Sequence, residues 1–171
     1  MKDEADLLQW LPSIAFFGGL EVPTLQRIIA MLGVHHVVPE QEVCRQGEAG
    51  RALYLVRSGE VLVWREDEHG RRVKLVRLGP GEFFGEMALI DIQKRSASVT
   101  ATRPALLYSL GTRDLLTLYN DDVPGYVMVI QNLARELSRR LRVTNARLHQ
   151  LAADDEDEAT LIRPAVSRRP R

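Results

Sequence analysis

A mainly β domain with flanking helices, an antiparallel roll or barrel followed by one long helix, is the fold class this sequence predicts. Three observations lead there. Between Val34 and Leu110, six β-prone runs (VHHVV, ALYLV, EVLVWR, RVKLVRL, SASVTAT and ALLYSL) recur about every 10 residues, with glycine-containing turns between them. That spacing leaves no room for strand–helix–strand units, so the strands should pair antiparallel. Before this region the apolar residues follow helical spacing, and after it an apolar seam runs from residue 124 to residue 151.

Composition bounds the function. The 171 residues suit one domain with appendages, and a hydrophobic fraction of 45% suits a globular chain with one sizeable core. Lys+Arg and Asp+Glu balance at 23 each, so no global field draws the chain to nucleic acid or anionic lipid. The lone Cys44 excludes an intrachain disulfide and a multi-cysteine metal site, and reads as a small apolar residue. MKDEADLLQW carries three acids and no uninterrupted apolar core, so it is not a secretory signal. No run is long enough to span a bilayer, and a reducing cytoplasm is the expected compartment.

Residues 5–16 place Leu7, Leu8, Leu11, Ile14 and Ala15 at helical spacings interrupted by Pro12, which predicts one or two short helices. In the next helix Leu25, Ile28, Ile29 and Leu32 form the apolar stripe, Pro23-Thr24 suits the start and Gly33 the stop. The N-terminal helices should therefore occupy 1–33. His35 and His36 have no third ligand beside them and read as structural or solvated. The roll is expected over 34–111, with His69-Gly70 at a hairpin tip. TRDLLTLY, residues 112–119, predicts a short helix capped by Thr112.

Within the C-terminal helices, 112–151, one long helix should span 124–151. There Val127, Ile130, Ala134, Leu137, Leu141, Thr144, Leu148 and Leu151 alternate spacings of three and four, an a/d seam with one polar position. So narrow a stripe suits a second copy of the helix, and packing as an amphipathic cap on the roll is the alternative. Arg135, Arg139, Arg140, Arg142 and Arg147 read as solvated flanks and intrahelical pairs. Five consecutive acids, Asp154 to Glu158, mark the tail 152–171, whose composition predicts disorder.

The chemistry concentrates in residues 83–99, FFGEMALIDIQKRSASV. Gly85 permits a backbone conformation or a close approach that a side chain would block. If Met87 to Ile90 turn as a helix, their amides face whatever precedes them. Glu86 is an acceptor pair suited to sugar hydroxyls, Arg95 a charged fork suited to phosphate oxygens, and Ser96 a short donor. A plain ion pair across a loop is the other use of such a carboxylate and guanidinium.

GEFFGEMALIDIQKRSASV resembles the phosphate-binding cassette of cyclic nucleotide-binding domains, and QGEAGRALYLVRSGEVLVW resembles that family's upstream strands and turns. The resemblance covers about residues 14–151. It implies a double-stranded, jelly-roll-like β-roll of eight strands, with the nucleotide inside it. It also implies that Glu86 accepts the ribose 2′-hydroxyl. Arg95 would pair with the cyclic phosphate, helped by Ser96 and by amides around Gly85, Met87, Ala88 and Ala97. Val63 and Leu75 would line the roll wall. The family's cGMP binders commonly carry threonine after this arginine, and Ser96 resembles the cAMP receptor pattern. SRRLRVTNARLHQL is similar to the dimer helix of the bacterial cAMP receptor (catabolite activator) family. By that likeness Thr144 would face the base in its own subunit, and Asn145 would approach it from the partner. Two departures stand out: Asn145 replaces the family's serine, and Gly50-Arg51 replaces its usual Gly-Asp. The 20 residues after Leu151 are too few for that family's helix-turn-helix domain, so direct DNA binding is not expected.

The leading functional expectation is a stand-alone cyclic nucleotide sensor, with cAMP as ligand and cGMP as the second candidate. It would act as a homodimer through the 124–151 helix and regulate an unidentified protein partner. A dimeric interaction module with a ligand-unresponsive roll is the alternative, and a nucleic-acid regulator using the arginine-rich helix is the third. No cofactor, metal or membrane partner is expected. No Ser-His-Asp set, metal cluster or Walker loop is visible, so the chain does not read as an enzyme.

Overall fold

The computed structural model describes residues 3–90 and 94–161. Helix α1 (Glu4–Trp10) begins at Asp3, whose carboxylate accepts from the N–H groups of Ala5 at 3.1 Å and Asp6 at 3.3 Å. Pro12 cannot continue the ladder, and the chain proceeds through two 3-10 turns, Leu11–Ser13 and Ala15–Phe17. Helix α2 (Val22–Met31) has Pro23 in its first turn and buries Leu25, Ile28 and Ile29.

Gly33 is not the helix stop its position suggested. It opens strand β1 (Gly33–Val37), and a Cβ there would overlap Ser109 Oγ on the neighbouring strand. Strands β2 (Glu42–Cys44), β3 (Ala52–Ser58), β4 (Val61–Glu66), β5 (Arg72–Leu78), β6 (Phe83–Phe84), β7 (Ser98–Ala101) and β8 (Ala105–Gly111) follow. All pair antiparallel, in two sheets of order β1-β8-β3-β6 and β2-β7-β4-β5, as the roll requires. β2 and β6 were not among the six runs visible in the sequence, because three and two residues are too few to show an alternation.

Strand alternation sorts the core. Val37, Val56, Val61, Phe84, Val99, Ala101, Ala105 and Leu107 form one buried cluster between the sheets. On β3 the neighbours Leu53 and Leu55 are buried on the opposite face, so this strand is covered on both sides.

Helix α4 (Thr112–Asp121) starts one residue earlier than a Thr112 cap would allow. Gly111 is the N-cap and Thr112 is already helical, with the Asp114 carboxylate accepting from the Gly111 N–H at 2.7 Å. Helix α5 runs over Val123–Leu161, through the acidic run that composition reads as disordered. Extending a helix that is already nucleated fixes one residue at a time and costs far less than starting one. Residues 162–171 of that tail lie outside the described residues.

The chain divides into two compact units, Met1–Leu133 and Ala134–Arg171. In the first, α5 buries Gly125, Val129, Asn132 and Leu133, and Asn132 Nδ2 donates to the carbonyls of Gly18 at 2.8 Å and Phe16 at 3.3 Å. That face is not the predicted seam. Seam residues Val127, Leu141 and Leu148 are exposed. In the second unit Glu136 accepts from Arg139 at 2.6 Å and Arg140 at 3.0 Å, the intrahelical pairs expected of this arginine-rich stretch. Among the described residues, no helix is long and apolar enough to cross a membrane.

Candidate ligand site

The buried cluster of the roll is bordered by hydrophobic residues that are only partly buried. Val43, Cys44, Tyr54 and Val63 pack against it while remaining partly accessible. Tyr54 reaches the interior because it shares a face of β3 with Val56, two residues on. Its ring stacks on Phe84 of β6 at 5.2 Å and 15°, and the edge-on His35 ring stands 5.5 Å away.

Arg95 is brought beside Tyr54 by its backbone. Its N–H donates to Glu48 O at 2.7 Å and its carbonyl accepts from Gly47 N at 2.9 Å, while Lys94 bridges Ala49. So pinned, the side chain sends Nη2 to the Ala52 carbonyl at 2.8 Å and Nη1 to the Gly85 carbonyl at 3.3 Å. The guanidinium carbon lies 5.7 Å from the centre of the Tyr54 ring.

Its charge is felt inside the roll. Burial pushes the Cys44 thiol and the Tyr54 phenol above their ordinary values, and the Arg95 charge partly offsets both shifts.

Gly85 is required for this approach. It has φ +78°, and a Cβ would overlap Arg95 Nη1 and stand 2.9 Å from the Ala52 carbonyl oxygen. Glu86 follows directly and is buried, with its carbonyl accepting from Leu89 N at 3.0 Å as the chain enters the single turn α3 (Met87–Ile90).

The structure therefore brings Gly85, Glu86, Met87 and Arg95 into one segment beside the roll interior. Met87 is exposed, Ala88 lies within α3, Ser96 is exposed and Ala97 half-buried. Val63 belongs to the partly accessible interior set. Leu75 is half exposed, at the irregularity where Val63 pairs Val76 and Trp64 pairs Lys74. Thr144 and Asn145 are exposed in the second unit, and Thr144 Oγ1 donates to Arg140 O at 3.0 Å. Residues 91–93 of the cassette lie outside the described residues.

Sequence reasoning missed Tyr54, Phe84, Val43, Cys44 and the Ala52 carbonyl as parts of this site. Strand alternation could have found Tyr54, since period two puts it with Val56. Nothing local marks a backbone carbonyl 43 residues from the arginine that it holds.

Chemically, the arrangement offers a cation on uncharged supports beside partly accessible apolar side chains, with the buried Glu86 carboxylate earlier in the same segment. That is a set for an anion joined to a hydroxylated, partly apolar body. Comparison with known proteins agrees. The family model described as cyclic nucleotide-binding domain matches residues 34–122. A cyclic AMP receptor protein from Thermus thermophilus is 42% identical over 110 residues, which is 64% of this chain and 49% of that protein. A cGMP-dependent protein kinase from Eimeria tenella is 37% identical over 115 residues, 67% of this chain and 11% of the kinase. The crystal structure of Thermus thermophilus catabolite activator protein superposes with a TM-score of 0.71 and 36% identity, covering 81% of this chain and 63% of that one. This chain thus spans about half of the receptor and a small part of the kinase.

Proposed function

Because this chain belongs to the cyclic nucleotide-binding domain family, we propose that it senses a cyclic nucleotide, with cAMP as the ligand, and passes its occupancy to a protein partner. The observation that supports this most is the Arg95 guanidinium, held at the roll interior by two neutral carbonyls and an aromatic face. A cyclic phosphate carries one negative charge and presents two exocyclic oxygens, which the guanidinium fork matches far better than it matches carbonyls. In this reading Glu86 takes the ribose hydroxyl, Ser96 and the amides near Gly85, Met87, Ala88 and Ala97 complete the phosphate cradle, and Val63 and Leu75 flank the ligand. Selection of adenine is supported by Ser96, which follows the cAMP receptor pattern, and the base contacts are assigned to Thr144 and Asn145.

Ligand would act by favouring one arrangement of roll and helices over another, through its differential affinity for the two. The exposed apolar seam of α5 supports a homodimer as the active form. Binding is the whole of the proposed chemistry, with no turnover of the ligand.

Isothermal titration with cAMP, cGMP and a cyclic dinucleotide tests the proposal. Saturable binding with cAMP tightest is expected, and Arg95→Ala should weaken it by about 30-fold or more, since removing one partner of a desolvated charge pair costs at least about 2 kcal/mol. Absence of binding by all three ligands, or an Arg95→Ala variant as tight as wild type, would sink the assignment.

A further inference from the structure

We propose that Tyr54 is a positioning residue for the arginine that takes the ligand's phosphate, its ring serving as an uncharged shelf that orients the guanidinium and leaves its charge available. This rests on the reading of Arg95 given above.

The ring lies within the roughly 6 Å range at which a guanidinium is attracted to an aromatic face. It is itself immobilised on both sides. Phe84 stacks against it nearly parallel, at 15°, and the edge-on His35 is held by a 2.9 Å hydrogen bond between its Nε2 and Ser109 Oγ. Each ring comes from a strand of the same sheet, β1, β3 or β6, so the shelf is built on paired backbone and not on a loop.

The chemistry of the supports is the decisive point. Among the described residues, the partners of the Arg95 guanidinium are the Ala52 carbonyl, the Gly85 carbonyl and the Tyr54 face, all uncharged. A carboxylate in Tyr54's place would orient the guanidinium equally well, but it would neutralise it and compete with an incoming anion. An aliphatic side chain would leave the charge intact, yet it would offer neither a flat surface for the planar fork nor attraction to it. An aromatic ring supplies both orientation and attraction without cancelling the charge. The two carbonyls hold the guanidinium through hydrogen bonds, and the ring lies 5.7 Å from its carbon.

Calorimetric titration of the full chain with cAMP decides the matter, using Tyr54→Phe, Tyr54→Leu and Tyr54→Met, with Tyr54→Leu repeated in an Arg95→Gln background. Thermal melts confirm which variants are folded, and Tyr54→Met preserves an unbranched bulk should the leucine variant fail. Tyr54→Phe should bind within about 3-fold of wild type, because the face is retained. Tyr54→Leu and Tyr54→Met should bind about 3- to 30-fold more weakly, the range that loss of a cation–π contact implies. In the Arg95→Gln background the leucine substitution should change affinity less than about 2-fold, since no cation remains to be positioned.

Aliphatic variants as tight as wild type would overturn the proposal. So would a penalty that persists undiminished with Gln at position 95, which would make Tyr54 a direct ligand contact or a packing residue. Failure of the wild-type chain to bind any cyclic nucleotide is a different result: it removes the reading of Arg95 itself, and this inference with it.

Discussion

Substituting alanine for Gly85 probes the site at its tightest point, and Gly70 provides an internal control. The two glycines have nearly the same φ, +78° and +74°. Either alanine therefore incurs the left-handed cost of about 1–2 kcal/mol. Gly70 sits at the hairpin tip with nothing within 4 Å of an added Cβ, so that cost is all it should show. At Gly85 the Cβ would also overlap Arg95 Nη1 and meet the Ala52 carbonyl at 2.9 Å. The guanidinium can swing away, but it then gives up its 2.8 Å bond to the Ala52 carbonyl, the 3.3 Å contact with the Gly85 carbonyl being too long to add much. Hydrogen bonds from a charged donor contribute about 1.5–3 kcal/mol. The Ala52 carbonyl cannot retreat freely, because Ala52 pairs Gly111 at the end of the β3–β8 ladder. Gly70→Ala should thus cost about 1–2 kcal/mol and Gly85→Ala about 2.5–5 kcal/mol in urea unfolding. In parallel titrations Gly70→Ala should bind cAMP normally, while Gly85→Ala should lose affinity as Arg95→Ala does. Equal stability losses in the two variants, or normal binding by Gly85→Ala, would refute the argument that this glycine makes room for the arginine.

Two further outcomes follow from other parts of the fold. Asp122, between α4 and α5, accepts from the Thr24 hydroxyl, from Gly125 N at 3.0 Å and from Arg27 Nη1 at 3.2 Å, and these donors, Thr24 foremost, hold its carboxyl below the usual range. Its contribution is then complete above the ordinary aspartate value of about 4 and is lost as pH falls through the lowered folded value. Asp122→Asn should destabilise by about 1–3 kcal/mol at neutral pH, with the gap to wild type closing in acid; a gap unchanged down to the acid transition would contradict this. Leu141 and Leu148 on the α5 seam are 60% and 59% exposed, and sedimentation should find a dimer that Leu141→Glu dissociates. A wild-type chain that sediments as a monomer with and without cAMP would reject the seam as a dimer contact.

Much of the roll was legible because its longer strands alternate and its turns carry glycine. The legible strands share a physical cause: each is long enough for one face to be apolar and the other not. β2 and β6 lack that length and are strands only because β7 and β3 offer them partners. The helix after the roll was legible as a helix, but its buried face was not. Gly125 and Asn132 hold that face by close approach and by hydrogen bonds to Phe16 and Gly18, and neither residue enters a count of apolar positions. Gly33 misled for a related reason: it is small because of Ser109, which is 76 positions further along the chain in number but beside it across the β1–β8 ladder.

The candidate site divides the same way. Residues 83–99 by themselves determine that a glycine, a carboxylate and a guanidinium lie within one short segment, and the family resemblance rests on that local order. What the cation sits on was decided by the tertiary structure alone. Its supports, the Ala52 carbonyl and the Tyr54 ring, come from β3, some forty residues upstream. The physical reason is that a guanidinium's chemistry is written in its own side chain, whereas its availability depends on its neighbours. A carboxylate neighbour would have made Arg95 half of an ion pair, and the carbonyl and aromatic neighbours that the sheet supplies leave it a charged group ready for an anion.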